Sequence, residues 1–208
     1  MSYAANLAMT LPEVILALGA IALMLVAAWG GPKSTRAISW AAVAVLVGAT
    51  IALAGPASSG GEAFGGLYRA DAFAAFCKVL IFGAAGVGIL MAPDFFQRTS
   101  GDDLRPEYPV LILLSACGMG MMVSAADMLT LYVGLELQSL AAYVLASFMR
   151  RDTRSAEAGL KYFVLARSPA ASCCTASRWS TASRVRPTSR RSRVLMVVTQ
   201  SWARVRWG

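Results

Sequence analysis

The sequence predicts an all-α, polytopic integral membrane protein, and three observations support this fold class. Of the 208 residues, 57% are hydrophobic and only 14% are charged, whereas a typical soluble domain is about half apolar and about a quarter charged. The mean hydropathy is +0.59, and long apolar stretches recur along the chain. This composition argues against an ordinary soluble enzyme, and a disordered chain would need low hydrophobicity and high charge.

The predicted spans are apolar stretches of close to the roughly 20 residues that a helix needs to cross the hydrocarbon core. They cover residues 12–29, 37–54, 70–92, 108–126 and 128–149, and a partial sixth span begins near residue 157. Strands are a poor alternative because these runs are long, rich in Ala, Leu and Gly, and lack strict alternation. The first run is predicted to be a retained span and not a cleaved signal, since no basic residue precedes Lys33.

The loops between the predicted spans alternate in charge. The segments around Lys33, Arg98 and Arg150 are basic, whereas the Gly55–Arg69 loop is rich in Gly and Ser and the turn at Asp127 is very short. By the positive-inside rule, the three basic loops lie in the cytoplasm and the N-terminus lies outside.

The net charge of +8 comes from one end of the chain. Residues 1–165 carry all eleven acidic residues and ten basic ones, whereas residues 166–208 carry nine arginines and no acid. The body is therefore close to neutral, and no nucleic-acid partner is predicted. Histidine is absent, which excludes His-based metal sites and Ser-His-Asp triads. The spacing of the four cysteines suits no metal centre, so none is expected.

The fifth predicted span carries the strongest chemical signal. Glu136 lies close to the middle of the span, where a carboxylate is costly and usually functional. Four polar side chains, Glu136 among them, are spaced by three or four residues and fall on one helical face: Tyr132, Glu136, Ser139 and Tyr143. Lipid cannot satisfy such a stripe. Glu136 is therefore a candidate proton-relay group, with a hydrogen-bonded tie between helices as the plainer alternative.

Three further ionisable residues are candidates. Lys78 lies about eight residues into the third span, where its ammonium could either snorkel to the interface or serve a buried role. Glu157 and Lys161 form an i,i+4 pair at the start of the partial sixth span. A surface pair of this kind contributes only a few tenths of a kcal/mol, so a plain helix pair is the default interpretation.

Two motifs carry a family resemblance. The stretch 131–143 reads LYVGLELQSLAAY, and 157–165 reads EAGLKYFVL. Together they closely resemble the subunit N family of bacterial proton-pumping NADH–quinone oxidoreductase (respiratory complex I), among the antiporter-like membrane proteins. The opening Leu11-Pro-Glu13, the Asp71 entry to the third span and the Asp127 turn are similar too. The resemblance covers roughly residues 7–165.

The resemblance implies about fourteen spans in a complete member, with broken helices in two inverted repeats, in the bacterial inner membrane. It implies that Glu136 is the family's fifth-span glutamate, that Glu157 and Lys161 open the sixth span, and that Lys78 joins their network. It implies no flavin, iron–sulfur or nicotinamide site in this chain; the complex uses NADH and quinone elsewhere. The implied partners are the other membrane subunits of complex I and the lipid bilayer. The family's seventh-span lysine has no counterpart here.

Two other functions stay open at this point. One is an antiporter-like subunit of a cation/proton antiporter or of a membrane-bound hydrogenase, from the same superfamily. The other is a structural scaffold of membrane helices without a transport role.

The character of the sequence changes after Leu165. Arg167 and Pro169 interrupt the sixth span after about eight apolar residues, which is less than half a crossing. We expect residues 166–208 to be a disordered or out-of-frame basic tail, and the chain as written not to pump protons. A tail that binds anionic lipid or RNA and a divergent short homologue with its own end are the alternatives.

Overall fold

The structure is a computed structural model that describes residues 7–30, 34–54, 61–64, 66–100, 105–149 and 153–165. The chain divides into two compact units, residues 1–171 and 172–208, and every described residue belongs to the first. The predicted basic tail, residues 166–208, lies outside the described residues.

The first unit is built from helices and one small hairpin, which confirms the predicted all-α membrane fold class. The elements, numbered here in chain order, are α1 (Leu11–Gly30), α2 (Thr35–Leu53), β1 (Gly61–Ala63), β2 (Tyr68–Ala70), α3 (Ala72–Ser100), α4 (Glu107–Val123) and α5 (Met128–Ala146), followed by α6 over residues 153–165. Helices α1, α2, α3 and α5 are long and apolar enough to cross a membrane, and α4 is a shorter apolar helix of 17 residues.

Helix α3 continues well beyond the predicted end of the third span at Ala92. It runs through Pro93 to Ser100, although proline removes one backbone hydrogen bond from a helix. Packing explains the extension, because the Phe96 ring makes edge-to-face contacts with Tyr108 and Phe148, with centroids 5.2 and 5.7 Å away. Such aromatic pairs stabilise an interface beyond the area they bury.

A β-hairpin occupies the end of the segment predicted to be a loop before the third span. Strands β1 and β2 pair antiparallel, with Glu62 opposite Arg69. The chain after α4 adds to this hairpin: Arg69 N donates to Ser124 O at 2.9 Å, and Ala126 N donates to Leu67 O at 3.1 Å. Backbone groups engaged in this way cannot continue a helix, so α4 ends at Val123 and not at the predicted residue 126.

Helix α5 begins where the sequence predicts. The side chain of Asp127 accepts a hydrogen bond from Leu129 N at 3.1 Å, which satisfies one of the free amides of the first turn. The helix ends at Ala146, three residues before the predicted boundary at Met149. The Ser147 hydroxyl donates to the carbonyls of Tyr143 and Val144 and meets carbonyl groups that the end of the helix leaves free.

The core lies between α1, α2, α3 and α4. Its fully buried members include one side chain from each of these helices: Leu16, Ala42, Ile89 and Leu113. Helix α5 packs mainly on α4, through a close approach at Gly118 and Gly134. A Cβ on Gly134 would lie 2.9 Å from Gly118 O, and one on Gly118 would lie 2.8 Å from Gly134 O. Small residues at such crossings let membrane helices approach closely.

We expect Gly134→Ala to destabilise the α4–α5 contact by about 1–3 kcal/mol, because the new methyl group must push the two backbones apart. Thermal unfolding of the purified protein in detergent measures the change. Gly48→Ala is the matched control, since a Cβ at Gly48 meets nothing within 4 Å. Equal unfolding midpoints for the two variants would contradict the proposed close packing.

Candidate functional site

Glu136 lies on the side of α5 that faces away from α4. The buried residues of α5 are Gly134 and Ala141, and at 100° per residue the stripe of Tyr132, Glu136, Ser139 and Tyr143 lies opposite to them. All four stripe residues are partly buried. The side chain of Glu136 makes no hydrogen bond or ion pair with the described residues. The sequence-predicted stripe is therefore a single face, and it is separate from the main packing face of the helix.

Helix α6 covers one end of this face. The rings of Tyr162 and Phe163 contact Tyr143 edge to face, at 5.1 and 5.8 Å between centroids. Ser155 Oγ donates to Ala146 O at 2.8 Å, which ties the start of α6 to the end of α5. The contacts bring the partial sixth span against the helix that carries Glu136.

Glu157 and Lys161 form the i,i+4 ion pair expected from their spacing. Lys161 Nζ lies 2.5 Å from Glu157 Oε1, and the two side chains are 68% and 63% exposed in this chain. Exposed pairs of this type contribute little to stability. The described residues show no ion pair between these two groups and Glu136.

Lys78 is buried and does not snorkel, so the buried role is the alternative that the structure supports. The side chain is only 2% exposed, and Nζ lies 2.5 Å from Oε1 of Glu13, whose side chain is 8% exposed. Nζ also donates to the Tyr68 hydroxyl at 2.7 Å, and that hydroxyl donates to Glu13 Oε1 at 3.0 Å. Three polar groups from α1, β2 and α3 thus close a ring, which we call the α1–α3 cluster (Glu13, Tyr68 and Lys78).

Sequence reasoning missed Glu13 and Tyr68 as site residues. Glu13 is interpretable from sequence as a charge at the outer end of the first span, but it is buried because the hairpin and α3 cover it. A signal was present: alternating spans place the beginnings of the first and third spans on the same side. An acid and a base near those two ends could therefore have been paired.

The Tyr68 hydroxyl remains a hydrogen-bond donor at physiological pH. Burial raises the pKa of Tyr68 above its ordinary value, and the neighbouring Glu13 carboxylate raises it further. Both effects disfavour a phenolate, because burial removes the solvation of a negative charge and the Glu13 carboxylate repels it. The ring also lies under the ammonium of Lys78, at 5.0 Å from Nζ to the centroid.

Small side chains of α4 border the α1–α3 cluster, and a Cβ at Gly120 would make only ordinary van der Waals contacts there. A Cβ on Gly120 of α4 would lie 3.7 Å from Glu13 Oε1 and 3.7 Å from the Phe82 ring. The Cys117 thiol lies 3.8 Å from the carbonyl of Glu13. Within the described ranges, no group of three or more Cys, Asp or Glu side chains could hold a metal ion.

The geometry defines a class of protein: a polytopic α-helical membrane protein that keeps ionisable side chains among apolar helices. The family model described as "NADH:quinone oxidoreductase/Mrp antiporter, TM" matches residues 125–172, which include α5 and α6. NADH-quinone oxidoreductase subunit N of Rhizorhabdus wittichii is 67% identical over 165 residues, covering 79% of this chain and 34% of the relative. The subunit N of Erythrobacter litoralis is 53% identical, covering 77% and 34%.

A comparison with solved structures gives a similar result. A chain of respiratory complex I from Thermus thermophilus with bound aureothin matches with a TM-score of 0.63 and 28% identity, covering 77% of this chain and 34% of that chain. The chain thus spans about a third of the length of the relatives that it matches. Over about three quarters of its length, the chain is similar to part of NADH-quinone oxidoreductase subunit N from several bacteria.

We expect Lys78→Met to destabilise the protein by about 3–5 kcal/mol, because it leaves the Glu13 carboxylate buried and uncompensated. The double variant Glu13→Gln/Lys78→Met should recover most of this loss, since no charge then remains. Arg69→Gln is the control: it breaks the exposed pair with Asp71 and should cost at most about 1 kcal/mol. Thermal unfolding in detergent measures both single variants, Lys78→Met and Glu13→Gln, and the double variant. If the loss in the double variant equals the sum of the two single losses, the coupling is refuted.

Proposed function

We propose that this chain is part of a membrane subunit of an NADH–quinone oxidoreductase that contributes to redox-driven proton translocation, and that the chain as written does not itself pump protons. The observation that carries the proposal is the position of Glu136, an acidic group within an apolar helix, on the face turned away from α4. A carboxylate in such a place is costly to keep and marks an ion pathway by default. The 67% identity to a subunit N supports the choice of complex.

In this proposal, Glu136 takes up and releases the translocated proton. Glu157 and Lys161 are the next members of the relay, because α6 packs against the end of the Glu136 face through Tyr143. A cation close to a carboxylate favours the charged form of that carboxylate. A shift of the Lys161 ammonium between Glu157 and Glu136 would therefore promote transfer. Lys78 is the fourth candidate member.

The proposed role needs no redox group in this chain. NADH and quinone react elsewhere in the complex, and the chain supplies protonatable side chains and the apolar surroundings that isolate them. The proposed partners are the neighbouring membrane subunits of complex I and the lipid of the bacterial inner membrane, with no nucleic acid.

An antiporter-like subunit of another assembly is the second candidate. The matching family model takes in Mrp antiporters as well as NADH:quinone oxidoreductases, and membrane-bound hydrogenases are a related possibility. Purification of the chain with its native partners separates these functions: quinone-reducing subunits support the proposal, whereas antiporter or hydrogenase subunits support the alternatives.

We expect Glu136→Gln, introduced into the full-length parent subunit, to lower proton pumping by the assembled complex at least about tenfold, because an amide cannot exchange the proton that a carboxyl group carries. The measurement is proton uptake by inverted membrane vesicles during NADH oxidation, normalised to the amount of assembled complex. Glu107→Gln, an exposed acid in the first turn of α4, is the control and should leave pumping unchanged. Normal pumping in Glu136→Gln would favour the structural-scaffold alternative.

The proposed orientation places the N-terminus and the hairpin outside the cell. In a variant with serine replacing the native cysteines, Arg69→Cys in β2 should react with a membrane-impermeant maleimide added to spheroplasts. Arg98→Cys, near the end of α3, should react only after the membrane is opened. The two positions are exposed in the structure, so accessibility reports the side of the membrane. The reverse labelling pattern would invert the topology.

A further inference from the structure

We propose that Glu13, Tyr68 and Lys78 form a second proton-transfer site, at the end of the helix bundle where α1 and α3 begin. The inference rests on the proposed function, since it assigns a further site to the same translocation. It adds Glu13 and Tyr68, which lie outside the stretches 131–143 and 157–165 and outside the Glu136 face, and to which the sequence assigned no role.

The geometry of the α1–α3 cluster suits proton transfer. The Lys78 ammonium lies 2.7 Å from the Tyr68 oxygen and 2.5 Å from Glu13 Oε1, and the Tyr68 hydroxyl lies 3.0 Å from the same carboxylate oxygen. The 2.7 and 3.0 Å distances lie within hydrogen-bond range, and the ammonium is also in direct ion-pair contact with the carboxylate. The donor, the bridging hydroxyl and the acceptor therefore already stand in the order that transfer requires.

Burying the α1–α3 cluster costs more desolvation free energy than holding two helices together requires. Both charged side chains are more than nine-tenths buried, and a buried ion pair is often no more stabilising than well-packed apolar residues. Glu13 Oε2 is buried and has no hydrogen-bond partner among the described residues. A purely structural ion pair would be more stable with a hydrogen-bond donor to this oxygen. The same unpaired oxygen is a position at which the carboxyl group can receive or release a proton.

The transfer step is balanced without a co-reactant. An N–H bond of the Lys78 ammonium breaks and its proton joins the Tyr68 oxygen, while the Tyr68 O–H proton passes to Glu13 Oε1. Lysine becomes a neutral amine, the carboxylate becomes a neutral acid, and tyrosine is unchanged. Because the two charges disappear together, the net charge of the buried site stays constant during the step.

Bulk water lies close to this site. Tyr68 is followed directly by Arg69, whose side chain is 61% exposed, and Arg69 pairs with the 48% exposed Asp71. The hairpin thus buries the side chain of Tyr68 in the α1–α3 cluster, whereas the side chain of the next residue, Arg69, is exposed.

The test is Lys78→Arg in the full-length parent subunit within the assembled complex, measured by proton uptake into inverted vesicles during NADH oxidation. Arginine keeps the positive charge and the ion pair but does not deprotonate in proteins. A structural tie would therefore be preserved and a proton-transfer site lost. We expect uptake to fall about tenfold or more with normal assembly, while Arg69→Lys, the exposed control, pumps normally. Normal pumping by assembled Lys78→Arg overturns the inference.

A second variant covers the case in which arginine does not fit. Glu13→Gln/Lys78→Gln removes both charges and keeps two amides that can bond to each other and to Tyr68. Assembly with impaired pumping supports a proton-transfer site, whereas assembly with normal pumping overturns it. Failure of both variants to assemble also overturns it, in favour of a purely structural tie.

The two proposals fail separately. Loss of pumping in Glu136→Gln, together with normal pumping in Lys78→Arg, refutes the second site and the candidate relay role of Lys78 but leaves the role of Glu136 standing. Normal pumping in Glu136→Gln, together with loss in Lys78→Arg, refutes the role of Glu136 and leaves the second site standing.

Discussion

The buried ion pair between Glu13 and Lys78 is the interaction on which the arrangement of the first three helices depends. Neither lipid nor an apolar core can compensate a charge, so each of the two groups requires the other. Their pairing at 2.5 Å fixes the beginning of α1 against the beginning of α3. Tyr68 completes the ring and anchors the hairpin over the pair. One electrostatic requirement therefore joins α1, α3 and the hairpin that lies between α2 and α3.

The hairpin in turn decides where α4 ends. Its backbone pairs with residues 124–126, and the tight turn that follows places Asp127 at the start of α5. From that start, α5 passes α4 through the contact of Gly118 with Gly134. The side of α5 opposite to this contact carries Glu136. The position of the fifth-span glutamate thus depends on small residues and backbone pairing that have no ionisable chemistry of their own.

Two kinds of ionisable group coexist in this bundle. The three side chains of the α1–α3 cluster are buried, whereas Glu136 lies on a partly buried face that α6 approaches at the Tyr143 end. Helix α5 is also the least buried of the four membrane-length helices: 11% of its most apolar stretch is buried, against 28–33% in the other three. The described helices bury the α1–α3 cluster but leave much of the Glu136 face uncovered. The chain spans about a third of the length of its relatives.

The sequence by itself determined the all-α membrane class, the order of the apolar helices, the Asp127 helix start and the common face of Tyr132, Glu136, Ser139 and Tyr143. These features follow from composition and helical periodicity, which are local. Tertiary structure alone decided the continuation of α3 through Pro93, the end of α4 at Val123 and the burial of Lys78 against Glu13. Each of these depends on partners distant in sequence: the Phe96 aromatic contacts, the hairpin backbone and a carboxylate 65 positions earlier in the chain. Periodicity within one segment carries no information about which distant group will satisfy a buried charge or a free backbone amide.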